Sequence, residues 1–198
     1  RDGESVRIQG RHALAIDELR LKFVPTFWEA RDKAPTEDDR VKQVWFEGAH
    51  SDVGGGYGDT GLSDTSLLWM ATEAHAKGLV FDVPLLSHYV SSGSDPIRHN
   101  PLNTMYRVDN ALLKAKAAMI PSKTPSAFKA GRRLLTNDHA LSVRISSSAV
   151  NHFQAGDYEP SNLKAFAEHT HGFANIVEPV ISLPESGTDL AFLGHPPA

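Results

Sequence analysis

The sequence predicts an α/β protein, and two neighbouring stretches carry the prediction. Residues 41 to 46, VKQVWF, are rich in β-branched and aromatic residues and predict a buried strand. A glycine-rich turn follows, and then Ser63 or Asp64 is placed to cap a helix that runs to about Lys77 and ends at Gly78. With a further helix predicted ahead of the strand, the order helix, loop, strand, glycine turn, helix is typical of α/β architecture.

The stretch from residue 11 to 24, RHALAIDELRLKFV, is predicted to be that preceding helix, ended by Pro25. Its apolar residues recur at helical spacing: Ala13, Ile16, Leu19 and Phe23. The polar residues 29 to 40 predict a surface loop. In the helix after the glycine turn, four residues are predicted to face the core: Leu67, Met70, Ala71 and Ala74.

Beyond residue 85 the local patterns are weaker. Residues 109 to 120 predict a helix, with Asp109 as its cap and Pro121 as its stop. Residues 139 to 150 fit a helix or a strand, and the tail after Pro179 is predicted to be irregular. We therefore expect residues 1–85 to form one unit and residues 86–198 a helical and irregular extension.

Composition excludes several classes of protein. The net charge of -4 argues against nucleic-acid binding, which needs a basic face. The absence of cysteine excludes disulfides, thiolate metal sites and a cysteine nucleophile. No apolar run reaches the roughly 18 residues that a transmembrane helix needs. The glycine spacing in GGGYG matches neither a nucleotide P-loop nor the dinucleotide fingerprint, so no cofactor is expected.

His50 is the candidate catalytic residue, because it lies just past the carboxyl end of the predicted strand. Open α/β sheets bind ligands at that edge, and an imidazole exchanges protons near neutral pH. The glycines beside it permit close approach of the backbone, and Asp52 can bond nearby backbone amides to orient the loop. The loop predicted to shape the site comprises Ser51, Asp52, Gly54, Gly55, Gly56 and Tyr57.

Simpler interpretations exist for each of these residues. A histidine in a glycine-rich turn is more often a structural hydrogen-bonding residue than a catalyst. His50 and Asp52 would make two metal ligands, but the sequence shows no confident third or fourth ligand, so no metal is predicted. His169 and His171 fit an exposed loop better than a metal site. Three residues are possible supports of the site: His12, Asp17 and Trp45.

Two long motifs resemble a known family. "RHALAIDELRLKFVPTFW", followed by "VKQVWFEGAHSDVGGGYGDTGLSDTSLLWMATEAHAKGLVFD", is similar to the closing half of an α/β-hydrolase domain family that includes phospholipase effectors of bacterial type VI secretion systems. The resemblance covers about residues 7 to 83. "LSVRISSSAVNHFQAGDYEPSNL" resembles, more loosely, the region after the family's catalytic domain. The stretch "WFEGAHSD" departs from the family's usual "WFPGVHSD" at Glu47 and Ala49.

The resemblance implies a partial α/β-hydrolase fold containing the last sheet strand, with His50 as the base of a Ser-Asp-His triad. The family carries its serine on G-x-S-x-G, which these 198 residues lack, and its acid on a strand before "HALAIDE". Serine and aspartate are therefore expected upstream of Arg1, on the same or a separate chain, and residues 1–198 alone are expected to be inactive. The implied substrate is a glycerophospholipid or another ester.

The resemblance also implies a place and partners. The protein would be made in a bacterial cytoplasm and delivered to a target cell's periplasm, with an immunity or secretion-system protein as partner. Residues 86–198 would then include a lid or a region that contacts membrane or partner, although for residues 84 to 120 a helix packed on the hydrolase core is the favoured interpretation. Two alternatives stay open: a non-enzymatic binding module on a hydrolase scaffold, and a metal-dependent phosphoesterase.

Overall fold

The computed structural model describes residues 9–29, 40–90, 97–119, 128–129, 132–136, 140, 142–181 and 190–196. Its elements are, in chain order, β1 Gly10–Ala15, β2 Val41–Phe46, α1 His50–Gly54, α2 Gly61–His75, α3 Val83–Tyr89, α4 Thr104–Met119, β3 Phe128–Lys129, β4 Arg132–Arg133, β5 Val143–Ser146, α5 Ser147–Ala155, α6 Ser161–His169, β6 Val177–Glu178 and a 3₁₀ helix, Ala191–Gly194. None of the described helices has the length and apolarity needed to span a bilayer.

The main sheet has four parallel strands in the spatial order β1, β2, β5, β6. Strand β2 is central, with Val44 beside Ala13 of β1 and Trp45 beside Ile145 of β5. Strands β3 and β4 form a separate antiparallel pair. Parallel strands with helices between them confirm the predicted α/β class. The sheet takes strands from both sides of residue 85.

The sheet is covered on both faces. On one face, β1, β2 and β5 contribute to a cluster that α5 and α6 complete: Leu14, Ile16, Trp45, Ile145, Ala149, Val150, Leu163 and Phe166. On the other face, Ala15, Val44 and Phe46 pack against Val53 and Trp69. A third cluster joins α2 to the 3₁₀ helix through Leu68, Ala71 and Leu193. The core is therefore three layers, helix, sheet and helix.

The helix predicted over residues 11 to 24 is wrong, because the chain forms β1 there and then a turn. The deciding feature is the consecutive apolar run from Ala13 to Ile16. Strands of a parallel sheet are buried on both faces, so they appear as continuous apolar runs without alternation. The strand predicted at residues 41 to 46 is confirmed at its bounds.

The helix after the glycine turn is confirmed, but its predicted start and inner face need correction. It begins at Gly61, after Thr60, and ends at His75. Leu67, predicted to face inward, is 44% exposed, whereas Leu68 is fully buried. The cause is that α2 lies between two apolar clusters, so its buried residues do not form a single stripe.

The later segments also resolve the open predictions. Helix α4 begins at Thr104, so Asp109 is no cap; it lies within the helix and pairs with Lys22 at 2.6 Å. Residues 143 to 155 are first a strand and then a helix, with the Ser146 side chain accepting from the Ala149 N–H. The predicted loop falls mostly on residues 30–39, outside the described residues.

Candidate functional site

The candidate site lies at the carboxyl edge of β1 and β2. Asp17 and Glu18 closely follow β1, whereas Glu47 and His50 follow β2. Because the two strands are parallel and adjacent, the segments that leave them meet at one edge of the sheet. Three carboxylates and one imidazole are thereby gathered from two separate motifs.

The turn between β2 and α1 requires a glycine at position 48. Gly48 has φ of +95°, and a Cβ there would lie 2.5 Å from the Asp52 Cβ. Its N–H donates to Asp17 Oδ2 at 2.9 Å, and the Asp17 N–H donates to its carbonyl at 2.9 Å. Tyr158 also donates its hydroxyl to Asp17 at 2.6 Å, and burial, with Asp17 as a second cause, raises the Tyr158 pKa. Asp17 is thus a loop anchor.

His50 is the exposed first residue of α1. Its backbone N–H donates to Glu18 Oε2 at 3.3 Å. Its ring meets the Phe23 ring edge-on, with centroids 5.5 Å apart. Within the part of the chain that the structure describes, no group hydrogen-bonds to the His50 ring, so both ring nitrogens are open to an incoming group.

A buried ion pair supports this arrangement. Glu18 is fully buried and accepts from the Arg20 side chain at 2.8 and 2.6 Å. Burial acts to raise the pKa of Glu18, but the Arg20 hydrogen bonds outweigh it and the pKa is lowered. The Arg20 guanidinium in turn lies 3.8 Å from the centroid of the Phe23 ring. The pair therefore fixes both the backbone and the ring face of His50.

The Asp52 carboxylate is bound by Ala49 and His99. It is buried, and its Oδ2 accepts from the Ala49 and His99 N–H groups at 2.7 and 3.1 Å. Its Oδ1 lies 2.6 Å from His99 Nδ1. Tyr57 stacks on the His99 ring at 3.8 Å. The carboxylate that was considered as a second metal ligand therefore holds residues 97–100 against the glycine loop.

Glu47, at the departure from the family pattern, is also buried and paired. Its Oε2 accepts from Arg98 Nη2 at 2.9 Å, and His152 Nδ1 lies 2.9 Å from its Oε1. Sequence reasoning singled out neither His99 nor His152. The available signal was the pair of acidic residues, Glu47 and Asp52, flanking His50, since buried carboxylates need partners.

Two cavities flank the outer edge of β1, and His50 lines both, as do Ala13 and Ala15. The first cavity, of about 380 Å³, lies on the α2 face of the sheet and is mostly apolar, with Val53, Leu67 and Met70 in its wall. The second cavity, of about 210 Å³, lies between β1 and the segment that contains Phe23, Val24 and Pro25. Its lining is His12, Ala13, Leu14, Ala15, Phe23, Val24, Pro25, His50 and Arg133.

The other predicted residues are distributed around this edge. His12 lines the second cavity; burial is the largest influence on its pKa, which is lowered, and the Arg133 charge acts in the same direction. Trp45 lies in the core, where its Nε1 donates to the Leu135 carbonyl at 2.7 Å, and it lines neither cavity. Ser51, half-buried, and the exposed Gly54, Gly55 and Gly56 follow His50.

Metal ligation has no cluster to support it in the described residues. No group of three or more His, Asp or Glu side chains there could hold an ion. His169 is the exposed last residue of α6, and His171 is exposed with φ of 55°.

These observations define an α/β protein that presents a solvent-exposed histidine at the carboxyl edge of a parallel sheet. Residues 3–73 match the family described as "T6SS, Phospholipase effector Tle1-like, catalytic domain". The family resemblance predicted from the sequence is confirmed over this stretch, which includes β1, β2, the glycine turn and most of α2. The matched stretch is therefore similar to the catalytic domain of phospholipase effectors, a family whose name indicates hydrolase activity. No curated protein and no solved structure matches the chain.

Proposed function

We propose that this chain carries the general base of a serine ester hydrolase that cleaves glycerophospholipids, and that His50 is that base. The observation that carries the proposal is the exposed His50 ring, held at the ligand-binding edge of the sheet within the family match. The fold would then be the closing part of an α/β-hydrolase, with β2 as the strand that leads to the catalytic histidine and with β5 and β6 continuing the sheet beyond it. The serine and its aspartate would come from polypeptide outside residues 1–198.

The open edge of β1 supports this arrangement. The N–H groups of Gly10 and Ile16 donate to carbonyls in the segment of β2, so the backbone groups of the odd-numbered residues between them point outward. In the described part of the sheet β1 is the edge strand, and Ala13 N–H and C=O face away from β2. An unpaired strand edge is a template for another strand. A further strand seated here would end beside His50, between the two cavities.

In the complete enzyme, the serine oxygen would attack an ester carbonyl while His50 accepts its proton. His50 would then protonate the departing alcohol, and later activate the water that releases the fatty acid. The external aspartate would hold the ring in the correct tautomer. Within the chain, Glu18 and Phe23 already restrain the backbone and one side of the ring. By the family's name, immunity and secretion-system proteins would be its partners.

The test uses the full-length protein and a fluorophosphonate probe. His50→Ala should lower kcat/KM for fatty-acid release from phospholipid vesicles by about 10⁴-fold, because the serine loses its base. Mutation of the upstream serine should abolish both labelling and turnover. The matched control is His169→Ala, an exposed histidine that lines neither cavity and should keep full activity.

Other results would point to the alternatives. Full turnover in His50→Ala would remove the proposal. Activity that is lost on chelation, without probe labelling, would favour a metal-dependent phosphoesterase. Neither labelling nor turnover in the full-length protein would favour a binding module.

A further inference from the structure

The second cavity has an arginine in its wall whose charge has no counterion among the residues that the structure describes. Arg133 is only 3% exposed. Its Nη1 donates to the Ala15 carbonyl at 3.0 Å, and its Nη2 donates to the Phe23 carbonyl. Both partners are neutral. In the residues that the structure describes, no carboxylate forms an ion pair with Arg133.

The Arg133 guanidinium also has N–H donors that form no hydrogen bond with the described residues. Of its five N–H groups, two serve the carbonyls, and Nε has no hydrogen-bond partner and no contact with solvent. The nearest acid in electrostatic terms, Glu18, is already bound by Arg20. Burial lowers the pKa of Arg133 to about 10, so the group is still a cation at neutral pH. A buried cation of this kind normally has an anionic partner.

Arg133 and the proposed base share one cavity. Both line the 210 Å³ space beside β1. Phe23 links them, because its carbonyl accepts from Arg133 and its ring meets the His50 ring. The rest of the lining is largely apolar, with Leu14, Val24 and Pro25. An anion that enters here would therefore have one strong site, adjacent to His50.

We propose that the second cavity is a phosphate subsite, in which Arg133 binds the phosphate group of the glycerophospholipid whose ester is cleaved at His50. This inference rests on the proposed function and names a residue that selects its substrate. The phosphate group of a glycerophospholipid, whether a diester or a monoester, carries at least one full negative charge and at least two free oxygens, which match the planar fork of a guanidinium. In a glycerophospholipid the phosphorus is only a few covalent bonds from an ester carbonyl, so both groups fit one continuous site.

The competing occupant is a carboxylate of the polypeptide that completes the enzyme. A protein carboxylate would stabilise the site for every substrate alike, whereas a phosphate subsite affects only substrates that carry phosphate. The two occupants are therefore separated by the ratio of kcat/KM for two substrates: a short-chain diacylglycerophosphate and the diacylglycerol with the same acyl chains.

The experiment measures this ratio in the full-length protein and its Arg133→Met variant. Loss of a charged hydrogen bond should lower kcat/KM for the phosphate substrate by roughly 10- to 100-fold more than for the neutral substrate, because the two backbone contacts of Arg133 are lost for both substrates alike. Arg107→Met is the matched control, since Arg107 is exposed on α4 and lines neither cavity. It should leave the ratio as in the wild type. An equal loss on both substrates, or no loss, overturns the subsite.

A second variant keeps the proposal testable if Arg133→Met misfolds, which could happen because Arg133 also donates to two backbone carbonyls. Arg133→Lys keeps the charge but not the two-pronged fork, so the ratio should fall several-fold less than in Arg133→Met. Inorganic phosphate should raise the melting temperature of the wild type more than that of Arg133→Lys. Equal phosphate effects with an unchanged ratio overturn the proposal. His50→Ala distinguishes failure of the phosphate subsite from failure of the proposed function. If this variant keeps full activity on both substrates, the proposed function fails, whatever the effect of the Arg133 variants.

Discussion

The two ends of the sheet use charge differently. On the α2 face, near the beginnings of β1 and β2, Lys42 lies between Glu73 and Glu178 at 2.6 and 2.8 Å. Arg11 forms a further ion pair with Glu73, and Arg144 forms one with Glu178. Each of these five charged side chains therefore has a partner of opposite charge. At the carboxyl edge, Asp17 and Asp52 bind groups of the loops, and Glu18 binds Arg20. The His50 ring and the Arg133 charge have no hydrogen-bonded or charged side-chain partner in the described chain. A closed network indicates support of the fold, and an incomplete one indicates a place for something else.

The largest effect is expected from Gly48→Ala at the carboxyl edge. A methyl group there would lie 2.5 Å from the Asp52 Cβ, on a backbone with φ of +95°. Strain and overlap together should lower the free energy of unfolding by about 3–5 kcal/mol. Urea unfolding measures the change. Gly78→Ala is the control, because its φ is +97° but no atom lies within 4 Å of the added Cβ; it should cost only about 1–2 kcal/mol. Equal costs would show that the contact with Asp52 is unimportant.

Breaking the closed network comes next in size. Lys42→Met leaves Glu73 and Glu178 facing each other without their shared cation, although Lys42 is one-fifth exposed. We expect the free energy of unfolding to fall by about 2–4 kcal/mol, with kcat per folded molecule unchanged in the complete enzyme. Lys22→Met is the matched control: its pair with Asp109 is 57% exposed on the lysine side, so little should change. A loss of kcat in Lys42→Met would erase the distinction between the two ends.

Local sequence was enough for the position of His50 but not for its surroundings. The strand, the glycine turn and the helix are contiguous in the chain, so local residue patterns are enough to predict where they lie. The apolar run of β1 also fits a helix, and a helix there would not place Asp17 and Glu18 at the same edge of the sheet as His50. Periodicity in a window of a few turns cannot distinguish a strand buried on both faces from a buried helix.

The remaining partners could not be predicted because they are distant in the chain. His99 is 47 residues from Asp52, His152 is 105 from Glu47, and Arg133 is 118 from Ala15. No local pattern encodes such pairs. The same limit applies to α2, whose inner face was misassigned because two clusters from different parts of the chain cover it.

A smaller effect tests whether Phe23 positions the His50 ring. Phe23→Leu removes the ring edge from His50 and the surface beneath Arg20, while the site stays apolar. We expect kcat of the complete enzyme to fall roughly 10-fold with KM unchanged, because the imidazole loses its orientation. Phe153→Leu is the control, since Phe153 packs on Phe173 in the core. It should lose similar stability without losing kcat. If both variants lose kcat equally, Phe23 has no positioning role.

The smallest effect concerns pH, and it compares the two ends directly. Burial acts to raise the pKa of Glu73, but hydrogen bonds from Lys42 and Arg11 outweigh it, so the pKa is lowered from its ordinary value of 4.5. A carboxylate with a lowered folded-state pKa adds stability above the unfolded-state pKa and loses it as pH falls through the folded-state pKa. Stability should therefore decline below about pH 4.5, and Glu73→Gln should make that decline shallower in urea unfolding at a series of pH values.

Glu18 has a lowered pKa for the same reason, with Arg20 as its partner, so Glu18→Gln should also make the acid decline shallower. The two variants should differ in activity. Gln at position 18 weakens the hold on Arg20 and on the His50 N–H, so kcat should fall even at neutral pH, whereas Glu73→Gln should leave kcat intact. Equal activities in the two variants would mean that the carboxyl edge is as purely structural as the network on the α2 face.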